Sequence, residues 1–435
     1  MNIASSKCDL SCVPNFADLI RSDYTLISSD NVLKLNKITC RGANNASYCV
    51  IRYDKDMLCS DLISTYGLCR SIIINSQKKI VGYAPPKSIA ADTFIKENPM
   101  DISHDISHDI SQGNIIAEEF VEGTMINVFF DPSIGLTGGW EISTRNTVGA
   151  TSSFYKSPGA KTFRTMFMEA ASECNLDINQ LDPKLCYSFV LQHPANRIVV
   201  PFKKPELYLV AVYYISDNVV YNYRVSGLKD YFENTLNTTV KFPQVYPFEN
   251  YSELVEKYAS MNTPYYTLGV VIHNVVTGQR TKIRNPVYEE VRNLRGNQPK
   301  LQYQYLSLRK EGRVKDFLKF YPENKSEFSE FRDQVHLFTN TLFSNYVSCY
   351  IKKEKQLKEF SEQYRTHMYN IHQIYINDLR LKKQFVTNIV VQKYVNDIHP
   401  TLLMYCLNYN MRKRKVDTVI ADSPFNIKHD ETITV

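Results

Sequence analysis

The chain has no uninterrupted apolar run near the roughly 18 residues that a membrane-crossing helix needs. Its first residues, MNIASSKCDLSC, contain no long apolar core, so no secretory signal is expected there. Both absences point to a soluble, intracellular protein. A metal-binding cysteine pattern is missing too. Of the ten cysteines, Cys8 and Cys12 are too far apart for a CxxC knuckle. Cys40, Cys49, Cys59 and Cys69 follow at intervals of about ten with no close partner to complete a zinc site. Reduced thiols are the expectation. Tryptophan is nearly absent, with Trp140 alone against 30 tyrosines and 22 phenylalanines. The aromatic surface is therefore mostly tyrosine and phenylalanine, suited to half-buried packing and to stacking. A strong excess of one charge is also lacking. The net charge of +6 permits nucleic-acid binding without requiring it.

What is present divides the 435 residues into two parts, with a boundary near Asn285-Pro286. Before it the chain is strand-rich. SIIIN and KIVGYA flank SQKK as a hairpin, and IIAEEFVEGTMINVFFD and TGGWEISTRNTVG read as two strands around PSIG. LCYSFVLQHPANRIVVPFKKPELYLVAVYYI reads as two buried strands around PFKKPE. YTLGVVIHNVVTGQRTKIRN reads as a hairpin turning at VTGQ. One helix is expected over AKTFRTMFMEAASECN, with Phe163, Met166 and Ala170 on one face. MDISHDISHDISQGN, residues 100–114, repeats Asp-Ile-Ser-His. It is read as a disordered or loop insertion, since a flexible repeat offers no preorganised ligand geometry.

After the boundary the period becomes helical. Phe331, Val335, Phe338, Leu342 and Tyr346 recur at steps of three and four, as do Phe360, Tyr364, Met368, Ile371 and Tyr375. The expected organisation is thus 1–286, an α+β domain of antiparallel sheets; 287–415, an all-α domain; and 416–435, a tail. LQYQYLSLRKEGRVKDFLKFYPE and CYIKKEKQLKEF interleave basic residues with aromatics. At three-four spacing the aromatics read as core and the lysines as a solvated face. The same residue types also suit phosphate contact and base stacking. His336, His367, His372 and His399 are read as packing or surface residues. His367 and His372 lie five apart, off the spacing of a helical metal pair.

Four stretches of the first part follow one another in an informative order: FVEG (120–123), YSFVLQHPANRIV (187–199), LGVVI (268–272) and TKIRN (281–285). This series resembles the bacteriophage-type RNA ligases among the covalent nucleotidyltransferases. Their motifs run Lys-x-(Asp/Glu)-Gly, a Phe-Glu strand followed by Pro-x-Asn-Arg-Ile-Val, Glu-Gly-x-Val and Lys-x-Lys. The resemblance covers about residues 40–290. It extends to RSII at Arg70 and STRN around Arg145, and the second part looks like the C-terminal region of RNA-ligase-like proteins of large DNA viruses.

The resemblance implies an antiparallel nucleotidyltransferase domain. It also implies a lysine attacking the α-phosphate of ATP as a free amine, carboxylates holding a divalent cation or ribose hydroxyls, and basic residues neutralising phosphate charge. At three positions this chain departs from that chemistry. Phe120 stands at the lysine, Val190 at the carboxylate of the Phe-Glu strand, and Leu268 at the glutamate of Glu-Gly-x-Val. The expectation is that these three pack together where charge has been lost, since buried carboxylates without the lysine are costly.

Arg70, Glu122, Gly123, Arg145, Arg197, Lys282 and Arg284 remain as possible phosphate or nucleic-acid contacts. Glu122, Arg197 and Lys282 pairing as structural ions is the competing reading. The expected function is a catalytically inactive RNA-ligase-like protein, binding nucleic acid or serving as a structural or virion component. It would have no cofactor, RNA or viral structural proteins as partners, no membrane association, and a place in the host cytoplasm or virion. Two alternatives stand beside it. One is an active ligase with a displaced nucleophile, which would use ATP and magnesium; Lys79, Lys87 and Lys96 are candidates, none in the Lys-x-(Asp/Glu)-Gly frame. The other is a scaffold protein without nucleic-acid contact.

Overall fold

The computed structural model describes residues 4–21, 32–39, 46–100, 114–154 and 159–413. The Asp-Ile-Ser-His repeat and the expected tail lie outside the described residues, apart from Met100 and Asn114 at the edges of the repeat. The chain forms two compact units, Met1–Asn293 and Leu294–Val435. None of the described helices is long and apolar enough to cross a membrane.

The first unit is α+β and antiparallel. Its strands are β1 (Ala4–Asp9), β2 (Leu33–Thr39), β3 (Ser47–Tyr53), β4 (Ile72–Ile74), β5 (Ile80–Tyr83), β6 (Ile115–Glu119), β7 (Thr124–Asp131), β8 (Gly139–Ser143), β9 (Leu185–Gln192), β10 (Glu206–Ser216), β11 (Val219–Tyr223), β12 (Val245–Tyr246), β13 (Gly269–Asn274) and β14 (Arg280–Arg284). They build three sheets. The largest has the order β1-β11-β10-β9-β7-β8, and the two smaller ones have the orders β12-β6-β13-β14 and β2-β3-β4-β5.

Alternation along the strands sorts the cores. Phe129, Cys186 and Tyr213 leave one face of the large sheet to pack against Val50, Ile51 and Ile72–Ile74 of the β2–β5 sheet. Val128, Tyr187 and Leu191 leave the other face and pack under the helix Phe163–Glu173, where Met166 and Ala170 are buried and Phe163 partly so. That helix is N-capped by Thr162, whose hydroxyl accepts from the Thr165 amide at 3.1 Å. The β12-β6-β13-β14 sheet has its own core of Ala117, Val270 and Ile272, covered by Phe94 and Leu254 from two short helices.

Two sequence expectations change. IIAEEFVEGTMINVFFD is not one strand. It divides into β6 and β7, which belong to different sheets, and Phe120–Gly123 makes the crossing. Gly123 permits it. Its φ is +149°, and a Cβ there would lie 2.4 Å from the Leu191 carbonyl oxygen and 2.7 Å from Val190 Cγ1. The PFKKPE turn also proves longer, because β9 and β10 are separated by the whole segment 193–205, with a 3₁₀ turn at Pro194–Asn196.

The second unit is helical, with main helices Leu301–Lys310, Val314–Phe320, Lys325–Tyr346, Glu362–Ile374, Asn388–Asp397 and Pro400–Leu407. Val335, Phe338, Leu342 and Tyr346 are buried along the longest of them, and Met368 and Ile371 along the next. Phe360 precedes its helix rather than starting it.

Candidate functional site

The β6–β7 crossing holds the first motif, and the segment after β9 is tied to it. The Glu122 carboxylate is only 6% exposed; Oε1 accepts from the Val199 amide at 2.7 Å and Oε2 from the Val200 amide at 3.1 Å. Gln192 Nε2 donates to the Glu122 carbonyl at 2.9 Å, and Asn196 Nδ2 to Thr124 Oγ1 at 2.8 Å. Burial pushes the Glu122 carboxyl up to about 7 against the opposing pull of those amides. Glu122 therefore clasps the PANRIVV segment to the turn rather than facing a ligand. Arg197 belongs to the same clasp, with Nε donating to the Val199 carbonyl at 2.9 Å and its charge favouring the Glu122 carboxylate.

Phe120, Val190 and Leu268 lie on three separate elements: the β6–β7 crossing, β9 and the segment ahead of β13. Val190 is buried on β9, opposite Met125 and Tyr208. Leu268 is half-buried just ahead of β13. Phe120 is also half-buried, but the ring faces charge: Lys282 Nζ lies 4.5 Å from its centroid and the Arg284 guanidinium carbon 5.9 Å. The expected conversion of the site to packed core is thus absent at Phe120. The register explains the encounter. The Phe120 amide donates to the Gly269 carbonyl, and Gly269 pairs with Arg284, so these three make one row across the sheet. Gly269 has φ +133°, and a Cβ there would meet the Ile283 carbonyl oxygen at 2.1 Å, so glycine keeps that row open.

β14 carries the charge. Thr281 and Ile283 turn toward the sheet's own core, while Arg280, Lys282 and Arg284 alternate onto the opposite face. The sequence reading had Lys282 and Arg284 but missed Arg280, although the same two-residue period marks it. Arg70, ahead of β4, and Lys87, after β5, come within electrostatic reach of Lys282. Lys55 and Arg145 extend the band past Arg70. Arg145 lies 4.8 Å over the Tyr53 ring, and its Nε and Nη2 are buried without a hydrogen-bond partner. Arg280 donates through Nη2 to the Pro86 carbonyl and leaves Nε unpartnered.

Counter-charge is scarce along this band. Arg284 pairs with Glu289 at 3.4 Å, but among the described residues no ion pair engages Lys55, Arg70, Lys87, Arg145, Arg280 or Lys282. Glu118, on the same sheet face as Lys282, is committed to His273 at 3.4 Å. The consequence is largest at Lys282, where burial and the neighbouring Arg280, Arg70, Arg284 and Lys87 push the amine down to about 6. Half the Lys282 side chains are therefore uncharged near pH 6. No group of three or more His, Cys, Asp or Glu side chains that could hold a metal occurs among the described residues.

The first unit thus sets a cationic strand face beside the FVEG turn within an antiparallel α+β architecture. The chain is 24% identical over 289 residues to an RNA ligase of Rhodothermus phage RM378, across 58% of this chain and 64% of that protein. The chain thus spans less than two thirds of the length of that relative. No protein-family model matches. Solved structures with similarity include a Naegleria gruberi RNA ligase with PPi (12% identity, TM-score 0.29, 60% of this chain and 97% of that one). A mutant of the Naegleria gruberi RNA ligase with ATP and Mn is another (12% identity, TM-score 0.33, 59% and 76%).

Proposed function

We propose that the first unit is an RNA-ligase-like module that binds the phosphates of a nucleotide or an RNA along the band Arg284–Lys282–Arg280–Arg70–Arg145. The carrying observation is a set of converging cations, several partly buried, with almost no carboxylate among them. Like charges held together at low dielectric raise the energy of the free protein, and an anionic ligand relieves that repulsion. Phe120 removes the covalent step from its own position, since a phenyl ring forms no phosphoramidate. Val190 and Leu268 bring no carboxylate for a cation. A scaffold role without anion contact leaves the repulsion uncompensated, and this disfavours it.

The test is titration of a 5′-phosphorylated single-stranded RNA and of ATP across a salt series, followed by fluorescence anisotropy or calorimetry. Affinity for the RNA is expected to fall with log salt at a slope of about 0.7 per phosphate engaged. Arg70→Ala and Arg280→Ala are each expected to weaken both ligands by about tenfold, on the order of one charge-assisted hydrogen bond. Salt-independent binding, or unchanged binding in both variants, contradicts the reading.

A further inference from the structure

The amine expected at position 120 is missing, yet an amine occupies the space against that position. We propose that Lys282 is a displaced nucleophile, forming a covalent lysyl–nucleotide adduct from a nucleoside triphosphate bound in the cationic band. This inference rests on the phosphate-binding reading above and adds an activity to it.

The geometry carries it. Phe120, directly after β6, and Lys282, on β14, sit on the two sides of β13 in one sheet. Their side chains meet on one face, with Nζ 4.5 Å from the phenyl centroid. A lysine at position 120 would direct its amine into the volume that Lys282 Nζ already borders. The exchange thus moves the nitrogen from one side of β13 to the other without taking it out of the site. No described carboxylate pairs with Lys282 to hold it as an ammonium.

The groups facing it are Arg280 and Arg284 on its own strand, Arg70 and Lys87 from the β2–β5 sheet region, the Phe120 ring, and Glu118, two strands away in the same row and 3.4 Å from His273. Burial first, and these cations with it, keep the free amine populated at neutral pH, the condition an attacking lysine needs. They serve a second purpose once a triphosphate is bound, because they neutralise charge on the departing pyrophosphate.

The step balances. The neutral Lys282 Nζ donates its lone pair to the α-phosphorus, and the N–P bond forms. The bond from the α-phosphorus to the bridging oxygen breaks, and pyrophosphate leaves with that electron pair. One proton passes from the nitrogen to solvent, leaving a phosphoramidate.

The experiment incubates the full chain with α-labelled ATP and magnesium, then maps the acid-labile label by peptide mass spectrometry. ATP affinity of the same samples is measured in parallel. The expected result is label on Lys282 in the unaltered protein and in Phe120→Ala. Lys282→Arg and Lys282→Met should show none, even at ATP concentrations that saturate each variant. Labelling should rise with pH to a plateau, half-maximal near pH 6, the point at which Lys282 loses its proton. ATP binding without label, or label on a different residue, overturns the nucleophile assignment and leaves the binding reading intact. Absence of ATP and RNA binding overturns both.

Discussion

The cationic face of the first unit and the core of the helical unit differ in how charge is accommodated: cations cluster on the first, while neutral polar groups such as His367, Thr339 and Gln304 are hydrogen-bonded in the second. Arg412, also in the helical unit, keeps a buried Nε without a hydrogen-bond partner. His367 is 5% exposed; its Nδ1 meets the Tyr394 hydroxyl at 2.8 Å and its Nε2 the Cys406 thiol at 3.1 Å. Thr339 donates to the Val335 carbonyl at 2.7 Å, and Gln304 Nε2 to the Leu294 carbonyl at 2.6 Å. Around them, rings fill space: Phe317 stacks on Phe328 at 4.9 Å and on Tyr321 at 4.7 Å. On the β14 face, cations are gathered and left without carboxylates. A satisfied polar group needs only a structural explanation. Several unsatisfied groups of one sign call for a ligand.

Truncating the best-packed ring breaks this comparison most severely. Phe317 is fully buried between Tyr321 and Phe328. Phe317→Ala is expected to destabilise the helical unit by about 3–5 kcal/mol through lost contacts and a residual cavity. Calorimetric unfolding reads the loss, and ATP binding by the folded protein should be unchanged. A small loss would mean that the stacked rings are loosely held. A change in ligand affinity would tie the helical unit to the site.

The opposite substitution sharpens the contrast. Lys282→Met replaces a buried amine, held largely unprotonated at neutral pH, with an apolar chain of similar length. Removing the cost of keeping that amine from its proton is expected to stabilise the first unit by about 1–3 kcal/mol while weakening triphosphate binding. Denaturant unfolding and ligand titration on the same variant check both signs. Destabilisation would show that Lys282 has a stabilising partner and that the band is an ordinary ionic network.

These contrasts also show what was legible in the sequence. Strand and helix alternation revealed the α+β and all-α parts, because burial on one face writes a period of two or of three to four into the residues. Lys282 and Arg284 were legible as alternate positions on one strand. The location of Phe120 was not. From its sequence context a phenylalanine in place of lysine reads as core, and the structure instead sets it under two cations. That contact depends on the pairing of β13 with both β6 and β14, a long-range register that no local pattern records. Arg70 was noticed through a motif, but Lys55 and Lys87 enter the band only through the packing of separate sheets. Glu122 looked like a surviving site carboxylate. Its role as a clasp on the Val199 and Val200 amides becomes visible only with the β9–β10 connection in place.

A pH series separates two titrating groups of the first unit, Lys282 and Glu122. Lys282 is near 6 in the folded chain against 10.5 for an ordinary lysine. Between those values the unfolded chain binds a proton that the folded chain does not, so this group makes stability rise with pH across that window. Its penalty is complete below pH 6. Glu122 is near 7 against an ordinary 4.5, so between those values the folded chain binds the extra proton. Its contribution is fully present below pH 4.5 and is lost as pH rises through 7. The two slopes have opposite sign, and together they place a stability minimum between about pH 6 and pH 7. Lys282→Met should abolish only the alkaline rise and Glu122→Gln only the acid-side decline, as read from denaturation midpoints at intervals from pH 5 to 9. If Lys282→Met leaves the alkaline rise in place, Lys282 is charged at neutral pH in the folded protein, and its free amine is not available for attack.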